Sequence, residues 1–267
     1  MPIMRNLKLI ISYDGTDFQG WQTQPGFRTV QETIQKHLEK ITNQKITLYA
    51  SGRTDTGVHA IAQVANFRVD SILSESKILL GLNALLPEDI SISEITEVPY
   101  DFHSVKDAKK KHYRYVIRQS GIWDPLTRKF CHLVKQELDH VKMIKAAQQL
   151  LGTHDFRCFE SEWPNRTNSI RTIYRASINR MGPWIWFNIE GNGFLYNMVR
   201  SIAGTLIEIG RGHWPEDKII ELIELKERKY AGPTAPANGL IVIFSEYTWS
   251  IFMVLNLHRK RVLETTP

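Results

Sequence analysis

The chain has 267 residues, 42% of them apolar, and a formal net charge of +6, so we expect a soluble protein of one large or two small domains with a surface that favours polyanionic partners. Its two cysteines, Cys131 and Cys158, form no CxxC pair, so neither a disulfide framework nor a zinc site is expected and a reducing cytoplasm fits. The start shows no signal-peptide pattern, and the longest apolar run near the C-terminus, 247–257, is too short to span a bilayer.

The first hundred residues predict four strands and two helices in the order βαββαβ. Strands are indicated at 6–13, near 45–50, at 59–68 and near 90–98. Thr29 and Glu32 form a capping box, and apolar residues recur at helical spacing from Val30 onward. A second helix is expected near 75–86, where Pro87 ends it.

The same order of elements repeats in the rest of the chain. Strands 110–118, 170–179, 184–191 and 239–247 accompany helices 139–151 and 194–209, with an extra helix near 215–228. The stretches 119–137 and 152–169 are longer than a compact domain needs for a connection, so we expect them to cover or contact a ligand. The alternative is that they are disordered insertions.

These patterns predict an α+β fold made of two βαββαβ (ferredoxin-like) halves, residues 1–105 and 106–267. Two such halves can join edge to edge into one mainly antiparallel sheet. We expect the helices on one face of this sheet and a central catalytic cleft on the other face. The two long stretches belong to the second half.

The loop ASGRTDTGVHA, residues 50–60, contains the Asp-Thr-Gly tripeptide that aspartic proteases place at their catalytic turn. A protease dyad needs two such turns whose carboxylates share one proton, and this chain has one. The guanidinium of Arg53 also favours the ionised form of Asp55, which suits a nucleophile or base and spoils a proton-sharing pair. The simplest alternative is an Asx-type turn between two strands.

The segment GRTDTGVHA strongly resembles the motif that carries the catalytic aspartate in the TruA family of tRNA pseudouridine synthases. Five further segments resemble that family at the right places in the chain: YDGTDFQGWQ (13–22), KKHYRY (110–115), GTHDF (152–156), GNGFLYNMVR (191–200) and APANGL (235–240). The resemblance covers nearly the whole chain. One departure is Val105, which stands where the family has the arginine of Phe-x-Ala-Arg, so one RNA or packing contact is in doubt.

The resemblance implies the pseudouridine synthase fold and the isomerisation of uridine to pseudouridine in the anticodon stem-loop, at tRNA positions 38, 39 and 40. It implies no cofactor and no metal, tRNA as the partner, and a homodimer. It also makes 152–169 and 119–137 RNA-contacting insertions. Two other classes stay open: a catalytically inactive tRNA-binding protein on the same fold, and an unrelated carboxylate hydrolase.

The resemblance also assigns roles to five side chains. Asp55 is the expected nucleophile or base. Arg200 lies in a mostly apolar predicted helix, and an unpaired buried charge there would be costly, so it needs an anionic partner or must reach solvent. The resemblance makes Asp55 that partner.

Three further residues are expected to contact the substrate. Tyr113 and Tyr115 face one side of a strand, which ordinary sheet packing also explains. The resemblance places Tyr113 against the target base and makes Leu240 close the pocket. Arg53 then fills the space that the flipped nucleotide leaves, or contacts a phosphate.

Basic residues cluster in three segments, which suits recognition of an RNA backbone although a charge run is usually a solvated face. They are Lys106, Lys109, Lys110, Lys111, Arg114 and Arg118; Arg166, Arg171, Arg175 and Arg180; and Arg259, Lys260 and Arg261.

Overall fold

The computed structural model describes residues 4–161 and 168–247. The predictions made for Arg166 and for the basic residues 259–261 lie outside these ranges. Five α-helices are present in the described part: α1 (Val30–Thr42), α2 (Glu75–Leu85), α3 (His140–Gln148), α4 (Met198–Gly210) and α5 (Lys218–Leu225). None of the helices in these ranges is long and apolar enough to cross a membrane.

Within the same described ranges, ten strands form one sheet. They are β1 (Arg5–Tyr13), β2 (Tyr49–Ala50), β3 (His59–Val69), β4 (Ile90–Val98), β5 (Ala108–Gln119), β6 (His132–Val134), β7 (Gly152–Asp155), β8 (Ile170–Met181), β9 (Trp184–Gly191) and β10 (Leu240–Tyr247). The order across the sheet is β4-β1-β3-β10-β5-β9-β8-β7, with β2 beside β3 and β6 beside β5. All pairs are antiparallel except β3 with β10 and β5 with β6.

This topology confirms the predicted α+β fold with a mainly antiparallel sheet. Strands β4, β1 and β3 come from the first series of elements, and β10, β5, β9 and β8 come from the second. The two series meet where β10 pairs with β3, through Ile241 opposite His59 and Val242 opposite Ala60. We call this junction the seam. The division of the chain between residues 105 and 106 remains a prediction.

Helix α1 shows how local sequence sets the fold. Thr29 caps its N-terminus, since the side chain accepts a hydrogen bond from the Glu32 amide. Val30, Ile34 and Leu38 then bury one helical stripe in the main hydrophobic core. Asn43 ends the helix in a left-handed conformation with φ of 54°.

The predicted strand near 45–50 is mostly wrong, because only Tyr49–Ala50 pairs with a neighbour. The reason lies in α1. The Ile46 amide donates to the Glu39 carboxylate at 3.1 Å, and the Leu48 amide donates to the Gln35 side chain at 3.2 Å. These backbone donors are satisfied by helix side chains instead of by a strand.

Two helices begin later than predicted. Asn197 has a left-handed φ of 60°, so residues 194–197 form a loop and α4 begins at Met198. Helix α5 runs only from Lys218 to Leu225, where Lys226 takes the left-handed conformation.

The two long stretches 119–137 and 152–169 contain regular structure where they are described. Strand β6 lies within 119–137, and β7 and a short 3₁₀ helix lie within 152–161.

The predicted position of the cleft is wrong. Tyr113 and Leu240 lie in the same hydrophobic core as the buried faces of α1 and α4, and they also line a cavity that contains Asp55 and Arg200. The cavity therefore opens on the helix-bearing face of the sheet. Strand alternation fixes which residues share a face, but it does not say which face the helices cover.

Candidate active site

A cavity of about 700 Å³ lies at the seam. The loop between β2 and β3 contributes Asp55 to its wall, β5 contributes Tyr113, and α4 contributes Arg200. Arg53 and Leu240 line it as well. The structure thus brings all five predicted site residues together in one cavity, although they come from four segments far apart in sequence.

Asp55 and Arg200 form an ion pair across the seam. Arg200 Nη1 lies 3.0 Å from Asp55 Oδ2, which confirms the predicted contact. The arginine is held by two further hydrogen bonds, from Nη1 to Asn197 Oδ1 at 2.9 Å and from Nε to the Ala235 carbonyl oxygen at 2.8 Å. The Arg200 side chain is 18% exposed and the Asp55 side chain is 28% exposed. The pair is therefore only partly buried, whereas the apolar helix pattern suggested a buried pair.

The two oxygens of Asp55 have different environments. Oδ2 accepts from Arg200, whereas Oδ1 accepts no hydrogen bond from any residue within 4–161 and 168–247. A charge-assisted bond to a planar guanidinium fixes the orientation of a carboxylate. The arrangement therefore holds one oxygen and leaves the other available for chemistry in the cavity.

The segment 13–22 supports the Asp55 loop from behind. Tyr13 Oη lies 2.8 Å from Thr54 Oγ1, and the Trp21 amide donates to the Thr54 carbonyl oxygen at 3.0 Å. Gly20 has a φ of +79°, and a Cβ there would lie 2.6 Å from the same carbonyl oxygen. Only glycine allows this close approach. The motif YDGTDFQGWQ thus positions the residue that precedes Asp55.

Helix α4 is fixed by an equally close backbone contact. A Cβ at Gly204 would lie 1.8 Å from the Pro233 carbonyl oxygen. The neighbouring Ala235 amide donates to the Arg200 carbonyl oxygen at 3.1 Å, while the Ala235 carbonyl accepts from the Arg200 side chain. The segment 233–235 therefore holds both the backbone and the guanidinium of Arg200.

Tyr113 and Leu240 form the apolar wall of the cavity and are 9% and 6% exposed. The Tyr113 ring packs edge-on against Phe194, with ring centroids 5.1 Å apart. Burial, with a smaller contribution from the charge of Asp55, raises the pKa of Tyr113 to about 12. Its hydroxyl is therefore a protonated donor at neutral pH. Tyr115 turns away to donate to the Pro236 carbonyl oxygen at 2.8 Å.

Arg53 is exposed at the cavity wall. Within the described part of the chain it makes no hydrogen bond or ion pair. Its guanidinium is therefore available to a ligand, which is compatible with either role that the sequence suggested.

Lys111 was missed as a site residue. Its ammonium donates to the Ser51 carbonyl oxygen, and its side chain lines the cavity. Burial, with a smaller contribution from Arg171, lowers the pKa of Lys111 to about 8. The signal in the sequence was its position two residues before Tyr113 on one strand, which places both on the same face.

The first basic cluster is divided between the two faces of the sheet, so only part of it lines the cavity. Lys111 lines the cavity, but Lys110 pairs with Glu190 at 3.1 Å and with Glu246 at 2.9 Å. Arg114 donates to Asn188 Oδ1 at 2.8 Å. The reason is strand alternation within β5, which sends neighbouring side chains to opposite faces.

His59 joins the insertion 119–137 to the site. Its Nδ1 accepts from the Gly15 amide at 3.0 Å, so Nε2 carries the proton and donates to the Lys129 carbonyl oxygen at 2.9 Å. Burial lowers the pKa of His59 and favours this neutral form. His59, at the start of β3, thus also holds the insertion.

His154 on β7 and Val105 after β4 lie outside the cavity. His154 contacts the Leu151 carbonyl oxygen at 2.8 Å, in keeping with a structural role. Val105 is exposed and does not line the cavity. In the described ranges, no group of three or more His, Cys, Asp or Glu side chains is placed to hold a metal ion.

One sheet built from two series of elements, with an aspartate–arginine pair at the seam, is the arrangement expected of the pseudouridine synthases that the sequence resembles. The model of the tRNA pseudouridine synthase family matches residues 9–105 and 146–248, and the chain belongs to this family. It is accordingly an isomerase that forms pseudouridine in tRNA.

Relatives match over nearly their whole length. The chain is 46% identical to tRNA pseudouridine synthase A of Acetivibrio thermocellus, over 90% of this chain and 98% of that one. It is 43% identical to tRNA pseudouridine synthase A of Halalkalibacterium halodurans, over 89% of this chain and 91% of the relative. Among solved structures, a Cbf5-Nop10-Gar1 complex aligns at 13% identity with a TM-score of 0.33, over 75% of this chain and 53% of that one, a likeness too distant to bear on function.

Proposed function

We propose that the chain converts uridine to pseudouridine at positions 38, 39 and 40 of the tRNA anticodon stem-loop, with Asp55 as the nucleophile or base. The observation that carries this proposal is the ion pair at the seam, in which Arg200 holds one Asp55 oxygen and leaves the other open to the cavity. The positions in tRNA rest on the sequence resemblance, and the names of the relatives support tRNA as the substrate.

The reaction needs little beyond a carboxylate and a pocket. The N-glycosidic bond breaks, the uracil turns, and its C5 bonds to the ribose C1′ while N1 takes up a proton and C5 releases one. No atom is lost overall. A pocket that retains the free base makes the second bond formation intramolecular. Asp55 can attack C1′, add to uracil C6 or remove the ribose 2′ proton, and each role uses its open oxygen.

The wall of the cavity suits a flipped nucleotide. Tyr113 offers a ring edge and a protonated hydroxyl, and Leu240 offers an apolar surface. Flipping a nucleotide costs about a few kcal/mol. The unpaired guanidinium of Arg53 supports the proposal that it fills the space which the nucleotide leaves, with phosphate contact as the other role.

The partners are proposals of the same kind. We assign tRNA as the substrate partner and a homodimer as the working unit, both on the resemblance. The insertions 119–137 and 152–169 remain the proposed RNA-contacting segments. Sedimentation at micromolar concentration tests the dimer, and a monomer at all concentrations would contradict it.

The test of the function is release of tritium from tRNA transcripts labelled at uridine C5. C5 loses its hydrogen only if a new carbon glycoside forms there. We expect release from a transcript with uridines at the three positions and none when all three are cytidine. Equal release from both transcripts would contradict the proposed positions. No release from either, with tRNA still bound, would favour the inactive tRNA-binding protein.

A further inference from the structure

Lys111 presents an ammonium group beside the Asp55 loop. Its Nζ donates to the Ser51 carbonyl oxygen. A Cβ placed on Gly52 would lie 3.5 Å from Nζ and 3.4 Å from the Tyr113 hydroxyl, so the ammonium and the hydroxyl stand side by side against the start of the loop. Both side chains line the cavity.

The ammonium has few protein partners. An ammonium carries three donors, and one of them is used by Ser51. Among residues 4–161 and 168–247, no carboxylate forms an ion pair with Lys111. The charged side chain that most affects it is Arg171, another cation. The group therefore lacks an anionic partner in the part of the protein that the structure describes.

The cavity as a whole has an excess of positive charge. Asp55 is the acidic side chain among the described lining residues, and it is already paired with Arg200. Arg53 and Lys111 remain as cations without an anionic partner. A cavity of this charge attracts an anion, and burying an ammonium without one is unfavourable.

We propose that Lys111 binds a backbone phosphate that flanks the target uridine, so that the RNA supplies the anion that the cavity lacks. This inference rests on the proposed function, because only an RNA substrate carries a phosphate on each side of the reacting nucleotide. Lys111 then anchors the nucleotide to the strand that carries Tyr113. Its bond to Ser51 directs the ammonium toward the phosphate.

The competing role is purely structural: Lys111 would only hold the Ser51 carbonyl and thereby the Asp55 loop. The two roles predict opposite effects of Lys111→Met. If Lys111 binds a phosphate, Lys111→Met weakens RNA binding. The thermal midpoint of the free protein should then equal or exceed that of wild type, because the variant no longer buries a desolvated ammonium. Removal of a structural bond lowers the midpoint and leaves the salt dependence of binding unchanged.

The experiment measures the Kd for an anticodon stem-loop RNA against salt concentration, at pH 7, for wild type, Lys111→Met and Lys111→Arg. We expect Lys111→Met to weaken binding about tenfold near 0.1 M salt and to reduce the slope of log Kd against log salt by about 0.7 to 0.9, the value for one phosphate. Lys111→Arg should keep most of the affinity and the slope. Lys36→Met, at an exposed lysine paired with Glu32 on α1, is the matched control and should bind as wild type does.

A neutral methylphosphonate in place of the phosphate on the 5′ or the 3′ side of the target uridine locates the contact. When the contacted phosphate is replaced, wild-type protein should lose as much affinity as Lys111→Met loses for the unmodified RNA. Lys111→Met should bind the modified and the unmodified RNA equally well. If the methylphosphonate weakens binding by Lys111→Met as much as it weakens binding by wild type, at both the 5′ and the 3′ phosphate, the assignment is overturned. A salt slope in Lys111→Met equal to that of wild type would overturn it as well. If wild type binds no tRNA at all, the proposed function itself fails, which is a different result from wild-type binding without an effect of Lys111.

Discussion

The two halves of the sheet contribute different things to one site. The first half supplies an anion, Asp55, on a loop between two strands. The second half supplies a cation, Arg200, on a helix. Each is held by a backbone contact that only glycine permits, at Gly20 in the first half and at Gly204 in the second. Neither half alone contains the ion pair, so the site exists only where the two halves meet.

Two cations of the second half also differ in how their positive charge is used. Arg200 has an anionic partner within the protein, whereas Lys111 on β5 has none among the described residues. Under the proposed function, the first arrangement orients Asp55, and the second leaves a charge for a ligand. We infer that pairing within the protein, and not charge alone, separates the proposed positioning residue from the proposed binding residue.

The largest effect should follow from breaking the ion pair across the seam. Arg200→Met leaves Asp55 without its cation and frees Asn197 and the Ala235 carbonyl. We expect turnover to fall at least about a hundredfold, because the carboxylate loses its orientation. The free energy of unfolding should fall by about 2 kcal/mol, below the roughly 3 to 5 kcal/mol of a fully buried pair, since both side chains are partly exposed.

That stability change corresponds to a thermal midpoint about 4–8 °C lower. Tritium release and thermal denaturation measure the two effects. Arg200→Lys keeps the positive charge but loses the paired N–H donors of the guanidinium. Its turnover and its thermal midpoint should therefore lie between those of wild type and Arg200→Met. A midpoint and turnover equal to wild type in Arg200→Met would show that the pairing has no role.

A methyl group at the α4 contact should disturb the second half. Gly204→Ala places a Cβ 1.8 Å from the Pro233 carbonyl oxygen, although alanine normally favours a helix. We expect a loss of about 3 kcal/mol in stability and a turnover loss of more than about tenfold, because 233–235 also holds Arg200. Gly121→Ala, where a Cβ meets nothing within 4 Å, is the control and should change stability by less than about 0.5 kcal/mol.

The equivalent test in the first half has a closely matched control. Gly20 and Gly26 have φ of +79° and +81°, but only at Gly20 does an added Cβ approach another atom, the Thr54 carbonyl oxygen. Both alanine variants pay about 1 to 2 kcal/mol of backbone strain. Gly20→Ala should in addition displace the Asp55 loop and lower turnover about tenfold, whereas Gly26→Ala should keep its turnover. Equal turnover in the two variants would contradict the supporting role of 13–22.

The smallest expected effect is on pH dependence. The pKa of Lys111 lies near 8 in the free protein, so its ammonium is charged at pH 7 and about nine-tenths neutral at pH 9. Binding of tRNA should therefore weaken up to about tenfold as pH rises through 8. Tyr113, with a pKa of about 12, keeps its proton over this range.

Lys111→Arg separates this titration from others, because a guanidinium does not deprotonate below pH 10. Its Kd should be flat between pH 7 and 9 under the same salt. A wild-type Kd that is equally flat would mean that Lys111 does not carry a charge used in binding.

Much of the fold followed from the sequence because its signals are local. The capping residues of α1 and the alternation in β5 each act over a few residues, so their elements were predicted within a few residues of the observed bounds. The strand near 45–50 failed because Gln35 and Glu39 on α1 satisfy its amides, which is a tertiary contact. The prediction of the face on which the cleft lies failed for the same kind of reason, because strand alternation does not say which face of the sheet the helices cover.

The site shows the same limit. A charge in an apolar helix predicted that Arg200 needs an anion, and the resemblance supplied Asp55 as the partner. Lys111 belongs to a predicted basic cluster that suits recognition of an RNA backbone, with a solvated face as the alternative, and the five other cations of that cluster gave no reason to single it out. Only the structure shows that β5 sends Lys110 to two carboxylates and Lys111 into the cavity.

Turnover by Asp55→Asn, measured as tritium release with saturating tRNA beside a measurement of tRNA binding, tests most directly the claim that Asp55 performs the chemistry. The amide keeps the shape of the side chain but removes the nucleophilic or basic oxygen. We predict release at least about a thousandfold slower than wild type with a Kd within about threefold, while Asp17→Asn, at an exposed aspartate of the supporting segment, behaves as wild type. Release at the wild-type rate by Asp55→Asn would contradict the account.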